Sequence, residues 1–242
     1  MSNFIKKFIK KTLRSFHWNL VRWDINTSDE LVLAATVKHF NIQTIIDGGA
    51  NTGQYAAQLL ETGYGGKIYS FEPISAVYDV LLKRSVRYPQ WEVFKLGLGS
   101  KEEELSINVS ENLVSSSLLK VGAQSLSAEP TTRTMRQEKI KITTVDAFLT
   151  NKYKLQTEAL LKLDVQGYEM EALKGAMKSL PSFKVVQAEL SFVPVYEGAP
   201  LFNEMVTFFE DNGFELYSLA PVFSDSKTGR LLQADGTFVR KQ

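Results

Sequence analysis

The chain alternates between short apolar runs and stretches with helical spacing. Runs of apolar and β-branched residues predict strands at 44–47, 67–73, 91–96, 159–165 and 183–191. Apolar residues that recur at helical spacing predict helices at about 29–40, 54–62, 75–86, 168–179 and 200–212. Strands that alternate with helices in this way form a parallel sheet with helices on both faces. We therefore expect a doubly wound α/β fold.

Two regions depart from this alternation. The stretches "EELSINVS" at 103–110 and "KIKITTV" at 139–145 alternate apolar and polar positions, which predicts antiparallel strands with one solvated face. Residues 110–138 between them are rich in Ser, Thr and Glu, and we expect a long mobile loop there. Near the C-terminus, "FELYSLA" and "GTFVRK" predict a closing antiparallel pair. We expect one domain over 26–242, with a hairpin and loop inserted at 100–145.

The first 25 residues form a separate segment with its own pattern. Apolar and basic residues occupy opposite faces of a predicted basic amphipathic helix. The apolar set is Phe4, Ile5, Phe8, Ile9, Leu13 and Phe16, and the basic set is Lys6, Lys7, Lys10, Lys11 and Arg14. One interpretation, common in soluble enzymes, is a helix that packs on the domain and keeps its lysines in water. The alternative is a helix that lies on an anionic membrane surface.

Composition narrows the class of protein. The 242 residues carry a formal net charge of +1, so the chain as a whole is not built to bind a polyanion. Cysteine is absent, which excludes disulfides, thiolate nucleophiles and Cys-bound metals. We see neither an apolar run long enough to span a bilayer nor a signal-peptide core. These features suit a cytoplasmic protein, with peripheral membrane contact through residues 1–25 as an alternative.

The loop at 47–53, Asp-Gly-Gly-Ala-Asn-Thr-Gly, lies between a predicted strand and a predicted helix. Its spacing is D-x-G-x-x-x-G, which differs from the G-x-G-x-x-G of dinucleotide-binding loops. Glycines allow a ligand to approach the backbone closely, although a tight turn without ligand would also use them. An acid at the strand tip, Asp47, would repel a phosphate and favour a cation. S-adenosylmethionine carries both a sulfonium and an ammonium group.

A second acid, Glu72, ends the next predicted strand. A carboxylate at this place can accept hydrogen bonds from both hydroxyls of a ribose. Dinucleotide-binding enzymes share this feature, so Glu72 alone does not distinguish S-adenosylmethionine from a dinucleotide. The alternative is that Glu72 is simply a solvated residue at the end of a strand. Together with the loop spacing, it favours S-adenosylmethionine.

These residues belong to a longer series of motifs. In order, the chain contains "IIDGGANTGQYA", "YSFEP", "FKLGLGSKEEELSI", "SSSLLKV", "TTVDAFL", "LLKLDVQGYEMEALKGA", "AELSFVPVYEG" and "NGFELYSL". Over about residues 29–240 it resembles the FkbM-type S-adenosylmethionine-dependent methyltransferases. The resemblance implies a Rossmann-like class I methyltransferase fold with a seven-stranded, mostly parallel sheet and an antiparallel C-terminal strand. It also implies S-adenosylmethionine as methyl donor and, usually, an oxygen acceptor on a sugar or a natural product.

The resemblance implies donor-binding roles for specific residues. Glu72 would hold the ribose, Gly97 and Leu98 would lie near the adenine, and Asp164 would face the methyl group or the acceptor. The methionine part of the donor would be held by Asp47, Gly49, Asn51 and Gly53, and Gly48 and Tyr55 complete the expected donor-binding set.

An alcohol acceptor must lose a proton, which calls for a base. His39 falls near the end of a predicted helix and is expected to be structural. His17 could reach the site only if the N-terminal segment folds over it. The candidate bases are therefore the carboxylates Asp164, Glu189 and Glu169. Asp164 and Glu189 are favoured equally as the base. The alternative for Asp164 is a carboxylate that anchors a loop, and the alternative for Glu189 is an ion pair at the strand end. Glu169 falls in the first turn of a predicted helix, where it could instead interact with the helix dipole.

Acceptor-wall candidates are Tyr196, Glu197 and the serines at 115–117, although an ordinary polar loop would also explain those serines. No D-x-D or histidine cluster supports a metal site, and none is predicted.

The leading function is an O-methyltransferase for a small molecule or carbohydrate. The alternatives are a non-catalytic protein that binds S-adenosylmethionine and an RNA methyltransferase. RNA would need a basic surface beside the cleft, but the lysines cluster at 6–14, so no nucleic-acid partner is expected. The loop spacing disfavours an NAD-dependent oxidoreductase.

Overall fold

The structure is a computed structural model that describes residues 3–16, 18, 22–149, 153, 155 and 158–241. The predictions made for His17, and for the side chains of residues 3–6 and 14, lie outside the described residues. The helices are α1 Asn3–Ser15, α2 Asp29–His39, α3 Gln54–Glu61, α4 Ser75–Ser85, α5 Ala123–Ala128, α6 Val145–Phe148, α7 Glu169–Lys174 and α8 Phe202–Asp211. The strands are β1 Thr44–Gly48, β2 Lys67–Phe71, β3 Trp91–Phe94, β4 Gly97–Leu98, β5 Glu103–Ser110, β6 Thr134–Thr143, β7 Ala159–Leu163, β8 Phe183–Ser191, β9 Phe214–Ser224 and β10 Leu231–Arg240.

The main sheet has seven strands in the order β3-β2-β1-β7-β8-β10-β9. Strand β1 pairs in parallel with β2 and β7, and β7 pairs in parallel with β8. Strand β10 is antiparallel to both of its neighbours. The predicted Rossmann-like sheet with an antiparallel C-terminal strand is therefore confirmed. The strand order reverses between β1 and β7, where the carboxyl ends of parallel strands leave a crevice for ligands.

The apolar runs form these strands because both faces of the sheet are covered. Successive residues of a strand point to opposite faces, so Ile45 and Ile46 enter different cores. One core also contains Leu163 and Phe209, and the other contains Leu59. Each of these side chains is at most 1% exposed. Continuous burial explains why these strands do not alternate in sequence.

The insertion is more ordered than its composition predicts. Residues 110–138 were expected to be a loop, but they contain α5, a 3₁₀ turn at Pro130–Thr132 and the first part of β6. Strand β6 pairs with β5 and β4 in a second, three-stranded sheet. The sequence conceals the start of β6 because four of its first five side chains are exposed, so apolar alternation begins only later in the strand.

Two other elements differ in length from their predictions. Helix α7 ends at Lys174, and the turn after it brings Gly175 against the second sheet. A Cβ on Gly175 would lie 2.0 Å from the carbonyl oxygen of Gly99. The closing pair is longer than predicted, with β9 extending to Ser224 and β10 starting at Leu231.

Candidate functional site

The glycine loop crosses from β1 to α3 at the switch point of the sheet. The amides of Gly49 and Ala50 donate to the carbonyl oxygen of Phe71, at 3.0 and 2.9 Å. Gly49 has a φ of 73°, and a Cβ there would lie 1.8 Å from the carbonyl oxygen of Asp164. Gly53 has a φ of 85°, and its Cβ would lie 2.6 Å from the Trp91 ring. Packing within the protein therefore requires both glycines, before any ligand is considered.

Asp47 lies beneath this loop. Its side chain is fully buried, and its Oδ2 accepts a hydrogen bond of 2.8 Å from Ser70 Oγ. The Ser70 oxygen in turn accepts from Trp91 Nε1 at 2.9 Å. The Lys162 ammonium lies 3.1 Å from Asp47 Oδ1. The Asp47 carboxylate, which was expected to attract a cationic ligand, is thus already paired with a cation of the protein. Its contacts lie beneath the loop, with Lys162 and Ser70.

Lys162 connects three parts of the site. It is the register partner of Asp47 on β7, so both side chains leave the sheet on the same face. Its ammonium donates to the carbonyl oxygen of Gly49 at 3.1 Å and lies 3.6 Å from Asp164 Oδ2. Burial opposes the charge, but the carboxylates of Asp47 and Asp164 outweigh it and raise the pKa of Lys162 above its ordinary value. Lys162 is therefore a permanent cation.

The first cavity, here called the donor cavity, lies between the glycine loop and the second sheet. It encloses about 660 Å³ of empty space, part of which opens to solvent. Its apolar walls come largely from the insertion and the strand ends. Among the lining residues are Gly49, Asn51, Glu72, Gly97, Leu98, Ile107, Leu118, Ile140 and Ile142.

Glu72 forms a polar wall of the donor cavity. Its Oε2 accepts from the amide of Asn51 at 3.0 Å, and its Oε1 accepts from the amide of Ile74 at 2.9 Å. The residue is only 5% exposed, and burial raises the pKa of its carboxyl to about 7. The two amides hold the carboxylate in place and leave lone pairs on both oxygens for a ligand.

Asp164 lines the donor cavity and two further cavities. The α2 cavity lies beside helix α2 and encloses about 870 Å³, with Asp29, Tyr55, Lys162 and Asp235 among its lining residues. The carboxylate cavity lies over the ends of β7, β8 and β10 and encloses about 890 Å³. Its lining includes Asn112, Ser115, Gln166, Glu189, Tyr196, Gln233 and Asp235. Because Asp164 lines all three cavities, its carboxylate lies where they meet. Its side chain is 37% exposed.

A hydrogen-bond network joins the carboxylates of the carboxylate cavity. Gln166 Nε2 donates to Asp164 Oδ1 at 2.6 Å and to Glu189 Oε2 at 3.3 Å. Gln233 Nε2 donates to the same Glu189 oxygen at 2.6 Å. Burial, and then the nearby carboxylates of Asp164 and Glu169, raise the pKa of Glu189 well above its ordinary value. Burial and Asp164 raise the pKa of Asp235 to about 6.

Glu169 has a different position from the other two candidate bases. It is buried, and its Oε1 accepts from the amides of Val165 and Gly167 at 2.9 and 3.2 Å. These bonds hold the turn in which Gln166 and Gly167 have φ values of 56° and 92°. Burial raises the pKa of Glu169 to about 7. Its place behind the turn makes it an anchor for the Asp164 loop.

The serines of the insertion form hydrogen bonds mainly within the protein, and two of them donate to backbone carbonyl oxygens. Ser117 Oγ donates to the carbonyl oxygen of Gln166 at 2.6 Å, and Ser116 Oγ donates to that of Leu113 at 2.8 Å. Ser116 also lines the donor cavity, and Ser115 lines the carboxylate cavity. The ordinary-loop interpretation of the serines therefore explains most of their contacts.

Aromatic residues and histidine complete the set of predicted site residues. The Tyr196 hydroxyl donates to Gln166 Oε1, and the ring is only 1% exposed. Tyr55 lines the α2 cavity, where its hydroxyl donates to Gln187 Oε1. His39 ends α2, with its ring edge-on to Phe40 and 4.7 Å away. Among the described residues, no group of three or more acids or histidines is arranged to hold a metal ion.

The sequence profile of the methyltransferase FkbM domain matches residues 47–216, which include the glycine loop, Glu72, Asp164 and Glu189. This chain belongs to the FkbM methyltransferase family. It is accordingly an S-adenosylmethionine-dependent methyltransferase, with S-adenosylmethionine as its methyl donor. No curated protein sequence matches it significantly.

The chain is similar to solved structures of other methyltransferases, one of them with a TM-score above 0.5. A candidate O-methyltransferase from Klebsiella pneumoniae is 7% identical with a TM-score of 0.52, over 100% of this chain and 92% of that chain. Magnesium protoporphyrin IX methyltransferase from Synechocystis PCC 6803, solved with bound SAM, is 11% identical with a TM-score of 0.47, over 100% and 86%. An rRNA methylase from Streptococcus thermophilus is 10% identical with a TM-score of 0.48, over 90% and 100%.

The residues of the donor cavity fit S-adenosylmethionine. Glu72 has acceptor lone pairs for the ribose hydroxyls, and Leu98 with Ile142 offers apolar surface for an adenine ring. Helix α3 starts at Gly53 without a side-chain cap, so first-turn N–H groups are open to a carboxylate. Asn51, at a φ of 50°, lines the cavity between these two regions.

Sequence reasoning missed Lys162, Asp235, Gln166 and Gln233. Lys162 is the only polar residue in the apolar run "ALLKL", and a lone lysine in a strand buried on both faces calls for an acidic partner. That signal could have identified it. Asp235 and Gln233 follow alternation in "LLQADG", where nothing distinguishes them from solvent-facing positions.

Proposed function

We propose that this methyltransferase methylates a hydroxyl oxygen of a small, polyhydroxylated acceptor such as a carbohydrate. The observation that carries the proposal is the position of Asp164, which lines both the donor cavity and the carboxylate cavity. An acceptor held in the carboxylate cavity would meet the donor beside this carboxylate. The proposal therefore assigns the donor to one space, the acceptor to the other and the proton to the residue between them.

The chemistry follows from the groups around Asp164. When bound, S-adenosylmethionine supplies an electrophilic methyl carbon on a sulfonium. The Asp164 carboxylate would take the proton of the acceptor hydroxyl while the hydroxyl oxygen bonds to the methyl carbon and the bond from that carbon to sulfur breaks, which leaves S-adenosylhomocysteine. The Asp164 side chain is 37% exposed, so the proton can pass to water. Gln166 fixes the direction of Oδ1, and Lys162 balances the charge at Oδ2. Orientation of the two reactants supplies much of the rate.

The lining of the carboxylate cavity supports a neutral hydroxylated acceptor. The amides of Asn112 and Gln233 and the hydroxyl of Ser115 can both donate and accept hydrogen bonds. The carboxyl of Glu189 can do the same when it is protonated. Among the described residues that line this cavity, none is Lys or Arg. An RNA phosphate chain would meet carboxylates here without a compensating cation. This charge distribution disfavours RNA as the acceptor.

The experiment separates donor binding from methyl transfer. Calorimetric titration with S-adenosylmethionine and S-adenosylhomocysteine measures the donor site of the wild type. Formation of S-adenosylhomocysteine is then measured with a panel of methyl glycosides, amino sugars, catechols and tRNA, and product NMR identifies the methylated atom. Asp164→Asn is compared with Asp211→Asn, which changes an exposed carboxylate at the end of α8.

We expect an O-methyl product from a hydroxylated small molecule, with turnover lost in Asp164→Asn and kept in Asp211→Asn. Turnover on tRNA alone, or an N-methyl product, would contradict the proposed acceptor. Donor binding without turnover on any acceptor of the panel would support the non-catalytic alternative.

A further inference from the structure

Helix α1 and the turn after it expose large aromatic side chains, although Ile9 and Leu13 of the helix are partly buried. Phe8 is 66% exposed within the helix, and Phe16 and Trp18 just after it are 69% and 71% exposed. Phe16 and Trp18 follow Ser15, the last residue of the helix, so the three exposed aromatic side chains, here called the aromatic row, come from the helix and from the turn after it. Isolated exposed apolar residues are common, but a row of large aromatic side chains marks an interaction surface.

The other face of α1 is basic. Lys7, Lys10 and Lys11 are exposed on it, and the sequence adds Lys6 and Arg14 at the same helical spacing. Helix α1 contains no Asp or Glu. Residues 1–25 hold six basic residues and one acid, and because the whole chain has a net charge of only +1, the rest of the chain is net negative. The net positive charge of the protein is thus carried by the N-terminal segment that contains α1.

We propose that α1 docks the enzyme on a membrane surface that is rich in anionic lipids. A helix of 13 residues is about 20 Å long and would lie in the plane of the surface. The aromatic row would enter the boundary between headgroups and acyl chains, while the lysines contact anionic headgroups. Among the described helices, none is both long and apolar enough to cross a bilayer. Docking is therefore peripheral and reversible.

Two features favour lipid over the other possible occupants of this face. A basic helix alone would also suit RNA, but RNA binding gives no reason for aromatic side chains on the side away from the lysines. Packing on the domain would remove Phe8 and Phe16 from solvent, whereas both are more than half exposed. A lipid surface satisfies both faces at once, because charge and apolar contact meet at one interface.

The test uses the full-length protein and vesicle co-sedimentation. Vesicles of phosphatidylcholine alone are compared with vesicles that contain about 30% phosphatidylglycerol, at low salt and at about 0.5 M salt. Fluorescence of the exposed Trp18 and Trp23, which follow α1 in the chain, reports insertion, and the buried Trp91 gives a constant background. The variants are Lys7→Glu/Lys10→Glu/Lys11→Glu and Phe8→Ser/Phe16→Ser. The matched control, Lys83→Glu/Lys139→Glu/Lys141→Glu, changes net charge equally at exposed sites outside α1.

We expect binding to the anionic vesicles with a blue shift of Trp fluorescence, and weaker binding at high salt. The α1 charge variant should lower the partition coefficient roughly 100-fold, since each of the three lysines near an anionic surface contributes about fivefold. The Phe8/Phe16 variant should also lose binding, and the matched control should keep it. Affinity for S-adenosylhomocysteine should be unchanged in every variant, which verifies that the domain is folded.

Failure of the folded wild type to bind either vesicle would overturn the proposal. So would equal loss of binding in the matched control, which would show a general charge effect. An α1-dependent dimer, or α1-dependent RNA binding without vesicle binding, would assign the face to a different occupant and overturn it as well. None of these results depends on the acceptor, so the proposed function is tested separately.

Discussion

Lys162 Nζ lies 3.1 Å from Asp47 Oδ1 and 3.1 Å from the carbonyl oxygen of Gly49. The same ammonium therefore contacts strand β1 through Asp47, the glycine loop through Gly49, and the end of β7 through Asp164. In the proposed function the glycine loop would hold the donor and Asp164 would face the acceptor in the carboxylate cavity, so this cation would set the distance between the two halves of the site. Its pairing with Asp47 also explains how a fully buried carboxylate is tolerated under the loop.

Replacement of Lys162 by Met is the first test of this arrangement. The variant leaves Asp47 buried and without its counter-charge, which costs about 3–5 kcal/mol when one partner of a buried ion pair is removed. We expect the free energy of unfolding, measured by urea denaturation, to fall by that amount. Donor affinity should fall too, because the Gly49 carbonyl loses its donor.

The double variant Lys162→Met/Asp47→Asn is the control. An amide at position 47 can keep the bond from Ser70 without a buried charge, so at least half of the lost stability should return. A double variant no more stable than Lys162→Met would show that the ion pair is not what the lysine contributes.

The sequence predicts the glycine loop and the main sheet well because both signals are local. A strand, an acid, three glycines and a helix follow one another within 20 residues at 43–61, and their order alone defines a ligand loop. The pairing of Asp47 with Lys162 is not local. It depends on which strands become neighbours and in what register, and nothing near either residue states that β1 lies beside β7.

The role of Asp47 could not be inferred from its position in the loop for the same reason. A carboxylate at a strand tip either faces a ligand or turns under the loop, and only the partners at Ser70 and Lys162 decide between them. The start of β6 was missed for a different reason. Its first residues, from Thr134, are paired through the backbone while their side chains stay in solvent, so no apolar pattern marks them.

Gly49→Ala tests whether the loop glycine serves packing within the protein. Alanine would need a left-handed conformation and would place its Cβ 1.8 Å from a backbone oxygen of Asp164. We expect a loss of at least about 4 kcal/mol in the free energy of unfolding, or no folded protein. Gly63→Ala is the control, because Gly63 has a φ of 92° with no atom within 4 Å of its Cβ position. It should cost only about 1 kcal/mol. Equal effects of the two variants would contradict the packing argument.

Glu72 should make stability depend on pH. Burial raises the pKa of its carboxyl to about 7, so the folded state binds this proton more tightly than the unfolded state. The stability from that proton is fully present below the unfolded pKa of about 4.5 and is lost as pH rises through 7. Glu72→Gln removes the dependence. Between pH 4.5 and 8, the free energy of unfolding of Glu72→Gln should rise relative to wild type by about 3 kcal/mol.

Urea denaturation of both proteins across this pH range measures the effect. Glu169, whose pKa is also about 7, is present in both proteins and cancels in the comparison. A stability difference that does not change with pH would mean that Glu72 ionises in the fold as it does in the unfolded chain.

Donor affinity should follow the same group with the opposite sign. Ionised Glu72 has more acceptor capacity for ribose hydroxyls than the protonated acid, so affinity for S-adenosylhomocysteine should fall as pH decreases below about 7. Calorimetry at several pH values measures it. The Glu72→Gln variant should bind more weakly and without this pH dependence, whereas Glu169→Gln should keep it, because Glu169 does not line the donor cavity. If the affinity of Glu72→Gln for S-adenosylhomocysteine still depended on pH, the titration would belong to another group.

The two remaining candidate bases should differ in which kinetic constant they control. If Asp164 takes the proton, Asp164→Asn lowers kcat by about 10²–10⁴-fold and leaves donor affinity within a few-fold of wild type. Glu189 lines only the carboxylate cavity and is held by Gln166 and Gln233, so Glu189→Gln should raise the acceptor KM more than it lowers kcat. Both are measured by formation of S-adenosylhomocysteine with the acceptor identified in the screen. A large loss of kcat in Glu189→Gln with near-normal kcat in Asp164→Asn would reverse the assignment and place the base at the end of β8.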